Sequence, residues 1–329
     1  MLLMNIMKAA LLIGFGLIQA EVAAQVTQYP SRPVKIILGF NPGAATDLMA
    51  RELAKKLGER WESPVVVENR SGANTIIATK LVAQAAPDGY TLLLSNSSNA
   101  TNPAVFKNLS FDPKKDFTNI SLLAIAYNLV TAAPEANIKS VKDLIKYAKN
   151  NPGKYTYGSV GVGSAQHLLM ELLAKSADIQ LTHVPYKGAA AAMVDVFGGR
   201  LTGMIGTISS QQTHVKAGKL QPLFVTGAKR SEILPNVETL AENGFSEIVS
   251  GYWLGLSGPA GMSPNLVKKI NEDVNSVLKL PDFQEILKNQ AMEVLGGSPG
   301  DMDAYFDKEL VFWRNAMKVA ELQPLDVAQ

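Results

Sequence analysis

The chain has no cysteine, three histidines among 329 residues, 7% aromatics and a net charge of only +2. Each scarcity removes a class of function. Without cysteine there is no disulfide, no lipid-acceptor thiol and no thiolate for an ordinary structural zinc site, so stability must come from a packed core. A charge balance this close to neutral lacks the basic excess of a nucleic-acid binder. Past the first two dozen residues, no apolar run approaches the roughly 20 residues that span a bilayer. His167, His183 and His214 form no HExxH arrangement, and no GxxxxGK[ST] loop occurs. GSVGVGS (158–164) spaces its glycines G-x-x-G-x-G, which is not the dinucleotide fingerprint. No acidic run has the calcium-loop pattern. Neither a catalytic centre, a metal nor a cofactor is implied.

What is present begins with MLLMNIMKAALLIGFGLIQAEVAAQ, one lysine followed by about a dozen apolar residues and then Val22-Ala23-Ala24. This reads as a secretory signal peptide, residues 1–24, cleaved after Ala24. The apolar run is too short for a membrane anchor. The mature chain is therefore expected outside the cytoplasm, free and not lipidated.

From there, short apolar segments alternate with amphipathic ones. VKIILGF (34–40), VVVENR (65–70) and TLLLSN (91–96) read as buried parallel strands, and 47–60 and 75–85 have helical spacing. The alternation predicts βαβ units, a parallel sheet flanked by helices, and a mostly helical tail beyond residue 264. ISLLAIAYNLVTAAP (120–134) reads as two strand-like runs split at Tyr127-Asn128, and SGYWLGLSGP (250–259) as an isolated strand far downstream. A chain that leaves one lobe near 127 and returns near 252 has two lobes, 25–126 with 252–329, and 127–251, joined by two strands. A single doubly wound sheet fits the same periodicity.

Polar small-residue turns follow several strands: Pro42-Gly43-Ala44-Ala45-Thr46, Ser95-Asn96-Ser97-Ser98-Asn99, Ser159 to Ser164, and Thr207-Ile208-Ser209-Ser210. In open α/β sheets the ligand crevice lies outside those strand ends. Backbone N–H groups, hydroxyls and helix N-termini gathered there bind an anion without a fixed cation. A micromolar ligand needs about −8 kcal/mol, which several charge-assisted hydrogen bonds of about 1.5–3 kcal/mol can supply in a desolvated cleft. Plainer readings stand beside this one. Asp47 could cap the following helix, the SNSSN side chains could be ordinary turn residues, His167 could orient the GSVGVGS loop, and Trp253 could be packing.

YPSRPVKIILGFNPGAATD, PVVVENRSGAN, AAPDGYTLLL, NPAVFKNLSFDPKKDF, GSVGVGSAQHL, HVPYKGAAAAM, KAGKLQPLFVTGAKRSEILPNVETLAENG and WLGLSGPAGMSP, in this order from Tyr29 onward, resemble the receptors of tripartite tricarboxylate transporters, the Bug-type proteins. The resemblance implies an α/β, two-lobe periplasmic-binding-protein fold (type II-like), each lobe a mostly parallel sheet flanked by helices around a two-strand hinge. It further implies a non-enzymatic, monomeric periplasmic receptor that closes on a small carboxylate and delivers it to a membrane permease. Carried over, the ligand residues are Phe40, Pro42, Gly43, Ala44, Ala45 and Asp47 of the first turn, with Ser159, Gly163, Ser164 and His167 of the second lobe. Ser95, Asn96, Ser97, Ser98, Asn99, Thr207 and Ser209 would line the variable end, and Lys187 and Gly188 a further helix start. Two departures bear on the ligand. Asn41-Pro42-Gly43-Ala44 replaces the family's proline-proline-glycine-glycine, and Gly206 stands where an aspartate is frequent. Without that aspartate an amino-acid ligand is disfavoured, and an aliphatic or aromatic dicarboxylate is the expectation. The alternatives are a ligand sensor for a membrane signalling partner, and a periplasmic enzyme using His167 and Ser164.

Overall fold

The computed structural model describes residues 29–43 and 45–326. The signal segment expected at 1–24, and Ala44, lie outside the described residues. In chain order the elements are β1 (Val34–Leu38), α1 (Ala45–Trp61), β2 (Val65–Asn69), α2 (Ile76–Ala83), β3 (Thr91–Asn96), α3 (Ser97–Val105), β4 (Phe106–Lys107), β5 (Phe117–Ala132), α4 (Val141–Asn150), β6 (Thr156–Ser159) and α5 (Ala165–Ser176). They continue with β7 (Thr182–Pro185), α6 (Ala189–Phe197), β8 (Gly203–Thr207), α7 (Ile208–Lys216), β9 (Gln221–Val225), β10 (Gly251–Pro259), α8 (Pro264–Leu278), α9 (Pro281–Asn289), β11 (Met292–Val294), α10 (Pro299–Val319) and β12 (Leu325–Asp326).

Local chemistry sets the helix starts. Ser263 and Ser298 cap α8 and α10 with proline in the first turn, and Asp301 closes a reciprocal capping box on Ser298. Along α8 the buried Leu266, Val267, Ile270, Val274 and Val277 recur at helical spacing and pack with Met49, Leu53 and Leu57 of α1.

The strands form a path β2-β1-β3-β10-β5-β8-β6-β7, with β9 and β11 also paired to β5. β5 is one continuous 16-residue strand, not two runs split at Tyr127-Asn128. Only its partners change there: residues 117–127 pair with β10, and 128–132 with β8. The polar pair marks a change of neighbour, since the backbone stays extended and both sides stay hydrogen-bonded. Nor is 250–259 isolated, because β10 lies between β3 and β5, antiparallel to both. The sheet is consequently mixed: parallel at β1-β2, β1-β3, β6-β7 and β6-β8, and antiparallel around the long crossing strand.

Strand direction places the crevice. β1, β2 and β3 run the same way as β5, and β3 ends at Asn96, level with Leu254 and through it with Ala124. β8 runs against β5 and ends at Thr207, opposite Asn128, with β6 parallel to it. Two sets of strand ends thus approach each other and stop four residues apart along β5, a gap of roughly 14 Å at about 3.4 Å per residue. On one side the halves share a core, where Leu168, Leu169, Tyr155 and Val130 pack with Val105, Trp253, Phe306 and Trp313. Inside it Glu309 accepts from both indoles, Trp253 Nε1 at 3.1 Å and Trp313 Nε1 at 2.9 Å.

Candidate functional site

The turn after β1 is held from within. Asp47 is 2% exposed, and its Oδ2 accepts from Gly43 N at 3.0 Å and Arg51 Nε at 2.9 Å, while Oδ1 accepts from Asn69 Nδ2 at 2.9 Å. Asn69 also donates to the Phe40 carbonyl at 3.0 Å. Burial raises the Asp47 pKa, but the bonds from Arg51, Gly43 and Asn69 outweigh it and leave the group at about 2. Both carboxylate oxygens are therefore occupied by the protein, and Asp47 shapes the turn. Gly43 sits at φ +85°, a left-handed conformation that costs an L side chain more than it costs glycine. Asn41, Pro42 and Gly43 are exposed, and Phe40 and Ala45 half-buried.

The SNSSN segment is committed to structure. Asn96 caps α3 by accepting from Ser98 N, and Asn99 Oδ1 accepts from Asn96 N to complete the capping box. Ser97 Oγ accepts from Trp253 N at 2.9 Å, and Ser95 Oγ lies 3.0 Å from Ser257 Oγ, both tying β3 to β10. Asn99 Nδ2 donates to Thr79 Oγ1, and Ser98 Oγ to Asn74 Oδ1. Of the five, only Ser98 is more than slightly exposed. Their side chains take part in the cap and in the ties to β10 and α2.

Across the crevice, the loop Ser159–Ser164 is likewise tied down. Ser164 caps α5 through His167 N and donates to the Gly161 carbonyl at 2.7 Å. Gly163 N donates to His167 Nδ1 at 3.1 Å, which places the imidazole proton on Nε2. His167 stacks on His183 with ring centroids 4.0 Å apart, and His183 Nε2 meets Ser159 Oγ at 2.7 Å. Burial lowers both histidines to about 4, with His167 adding to the effect on His183, so the pair is neutral at physiological pH. Glu171 Oε1, 3.8 Å from His167 Nε2, accepts from Tyr157 Oη at 2.7 Å. His167 thus orients the glycine loop, and Ser164 has no base on its hydroxyl.

Two helix starts on this side carry no side-chain cap: α6 after Gly188, and α7 after Thr207, whose hydroxyl turns to Ser209 Oγ at 3.1 Å. Lys187 beside Gly188 is exposed. At Gly206 a Cβ would lie 3.3 Å from Ser210 Oγ and 3.4 Å from Gln211 Nε2, so that wall is the first turn of α7 itself. Among the described residues no group of three or more histidines, aspartates and glutamates could hold a metal ion, and no helix is long and apolar enough to cross a membrane.

Sequence reasoning missed several residues of this region. Tyr252 stands beside the first turn with its ring against Phe40, and His183 supports the second loop. Asn128 Oδ1 accepts from Gln166 Nε2 at the strand crossing. Gly72 to Thr75 form a tight turn in which Ala73, Asn74 and Thr75 all have positive φ, bolted by Asn74 Nδ2 to Asn102 Oδ1 at 2.7 Å. These side chains meet only through the fold, and nothing in their spacing announces it.

A family model described as tripartite tricarboxylate transporter family receptor matches residues 49–322. The chain belongs to this family. The receptor is 31% identical to BugT of Bordetella pertussis over 319 residues, which cover 96% of this chain and 98% of BugT. It superposes on Rpa4515 of R. palustris, solved with adipate, with a TM-score of 0.82 and 33% identity, covering 90% of this chain and 100% of that one. For the periplasmic binding protein BugD the TM-score is 0.79 at 32% identity, with the same coverage. As a family member the receptor is a periplasmic binding protein of two-lobe α/β fold and not an enzyme.

Proposed function

We propose that the receptor captures a small dicarboxylate, aliphatic or aromatic, in the gap between the two sets of strand ends, and delivers it to a membrane permease of the tripartite tricarboxylate type. Lobe 1 is residues 25–126 with 252–329 and lobe 2 is 127–251, moving about the crossings at Tyr127-Asn128 and Gly251-Tyr252 as the cleft closes. The change of strand partners between Tyr127 and Asn128 supports this division. The signal peptide at 1–24 exports the chain, which works as a soluble monomer.

The observation that carries the reading is the pairing of an anion-suited chemistry with a limited space. The exposed turn Asn41–Gly43 and the uncapped N-termini of α6 and α7 face a gap of roughly 14 Å. A chain of four to eight carbons with a carboxylate at each end fits that span. Adipate bound to Rpa4515 supports the ligand class. One carboxylate docks on the Phe40–Asp47 turn, including Ala44, and on the Ser159–Ser164 loop. The other end lies toward Thr207, Ser209 and Lys187-Gly188. Thermal melts with succinate, malate, adipate and terephthalate test this. An acid at about 100 times its Kd should add about 2.7 kcal/mol of stability, whereas a melting temperature unmoved by every acid contradicts the reading.

A further inference from the structure

Strand alternation separates Tyr252 from its neighbour. Trp253 is fully buried and turns its indole to Glu309. Tyr252 points the other way and meets Phe40 edge to face, with centroids 6.1 Å apart. Its partner across the sheet is Ala126, two residues before β5 changes neighbours. The ring therefore lies between the crossing strands and the turn after β1. Thr46, on the first turn of α1, is the polar group beside its hydroxyl, but the two make no hydrogen bond of normal geometry. Among the described residues the Tyr252 oxygen is thus buried without a partner.

A buried hydroxyl left unpaired costs about 1–3 kcal/mol, and folded proteins carry few of them. The other unpartnered side-chain atoms among the described residues are Thr75 Oγ1, Asn128 Nδ2, Ser250 Oγ and Gln290 Oε1. Asn128 and Ser250 sit with Tyr252 on the two crossing segments. Thr75 abuts the end of β1, so close that a Cβ on Gly39 would lie 2.6 Å from Thr75 Cβ. Three of these five atoms, Asn128 Nδ2, Ser250 Oγ and Tyr252 Oη, thus lie on or beside the two crossing strands. Burial also raises the Tyr252 pKa well above 10, which keeps its proton in place as a donor.

We propose that Tyr252 donates its phenolic O–H to the carboxylate docked on the Phe40–Asp47 turn. This rests on the carboxylate reading above. Tyr252→Phe keeps the ring and removes only the unpaired oxygen, so two quantities should move in opposite senses. The ligand-free variant should melt at or above the wild-type temperature, because a buried unsatisfied group is gone. Its Kd for the acids that bind, measured by calorimetry across succinate, malate, adipate and terephthalate, should rise about tenfold or more, about 1.4 kcal/mol. Equal Kd values for variant and wild type would overturn the assignment of Tyr252 alone. So would a drop in the ligand-free melting temperature, which would make the hydroxyl a structural partner. If no acid binds the wild type, the carboxylate reading itself falls, and the role of Tyr252 falls with it.

Discussion

Replacing Asp47 by asparagine separates support of the turn from contact with the ligand. The carboxylate accepts from Gly43 N, Arg51 Nε and Asn69 Nδ2 at 2.9–3.0 Å. An asparagine has one oxygen, so whichever way its amide turns, an NH2 faces at least one of these donors. The group sits at about 2 rather than 3.8, and at about 1.36 kcal/mol per unit this corresponds to roughly 2.5 kcal/mol. Arg51 has a side chain 48% exposed, so solvent screens its share and about 1–2 kcal/mol remains. The sign follows from a folded pKa below the unfolded one. The contribution is complete above about pH 4 and fades as pH falls toward 2. Urea unfolding of wild type and Asp47→Asn should differ by about 1–2 kcal/mol at pH 7, with a smaller difference at pH 3. Affinity should also fall, although a negative charge near the carboxylate site has been removed, because the turn loses its shape. A variant as stable as wild type at pH 7 would refute the supporting role.

Three more predictions concern the second loop. The His167 ring should stay neutral to about pH 5 in an NMR titration, since burial holds its pKa near 4, and a midpoint near 6.5 would contradict the burial argument. Because the unfolded chain takes up these protons first, acid should reduce stability between about pH 6.5 and 4, and a histidine-free support such as His167→Gln should flatten that slope. Gly163→Ala places a Cβ 2.5 Å from Val105 Cγ1 at φ +74°, where glycine is favoured. Chemical denaturation should show a loss of about 2–4 kcal/mol from the clash and the left-handed backbone together, and a change under about 0.5 kcal/mol would mean that Gly163 does not press on Val105 of α3.

The elements legible in the sequence were those bounded by abrupt chemical change. VKIIL, VVVEN and TLLLSN are apolar runs closed by turn residues, and α8 and α10 begin at serine-proline caps; the helices expected at 47–60 and 75–85 are α1 and α2 to within a residue or two. β5 was harder, because polar Tyr127-Asn128 resembles a break when the strand is in fact handing over from β10 to β8. Ser95 to Asn99 show the limit at the site. Small polar residues at a strand end suit a ligand and a helix cap equally, and the tie from Ser97 to Trp253 N, 156 positions away, has no mark in the spacing. His183 and Tyr252 left no local signal, since the first acts by stacking on His167 and the second through a hydroxyl whose partners are missing.

Titration calorimetry with adipate and with adipamide tests the central claim most directly, because the two have the same length and the amide carries no charge. A site built from helix N-termini and backbone donors should bind the dianion and reject the diamide by at least a hundredfold, about 2.7 kcal/mol. Equal binding of adipate and adipamide would contradict a carboxylate site in this cleft.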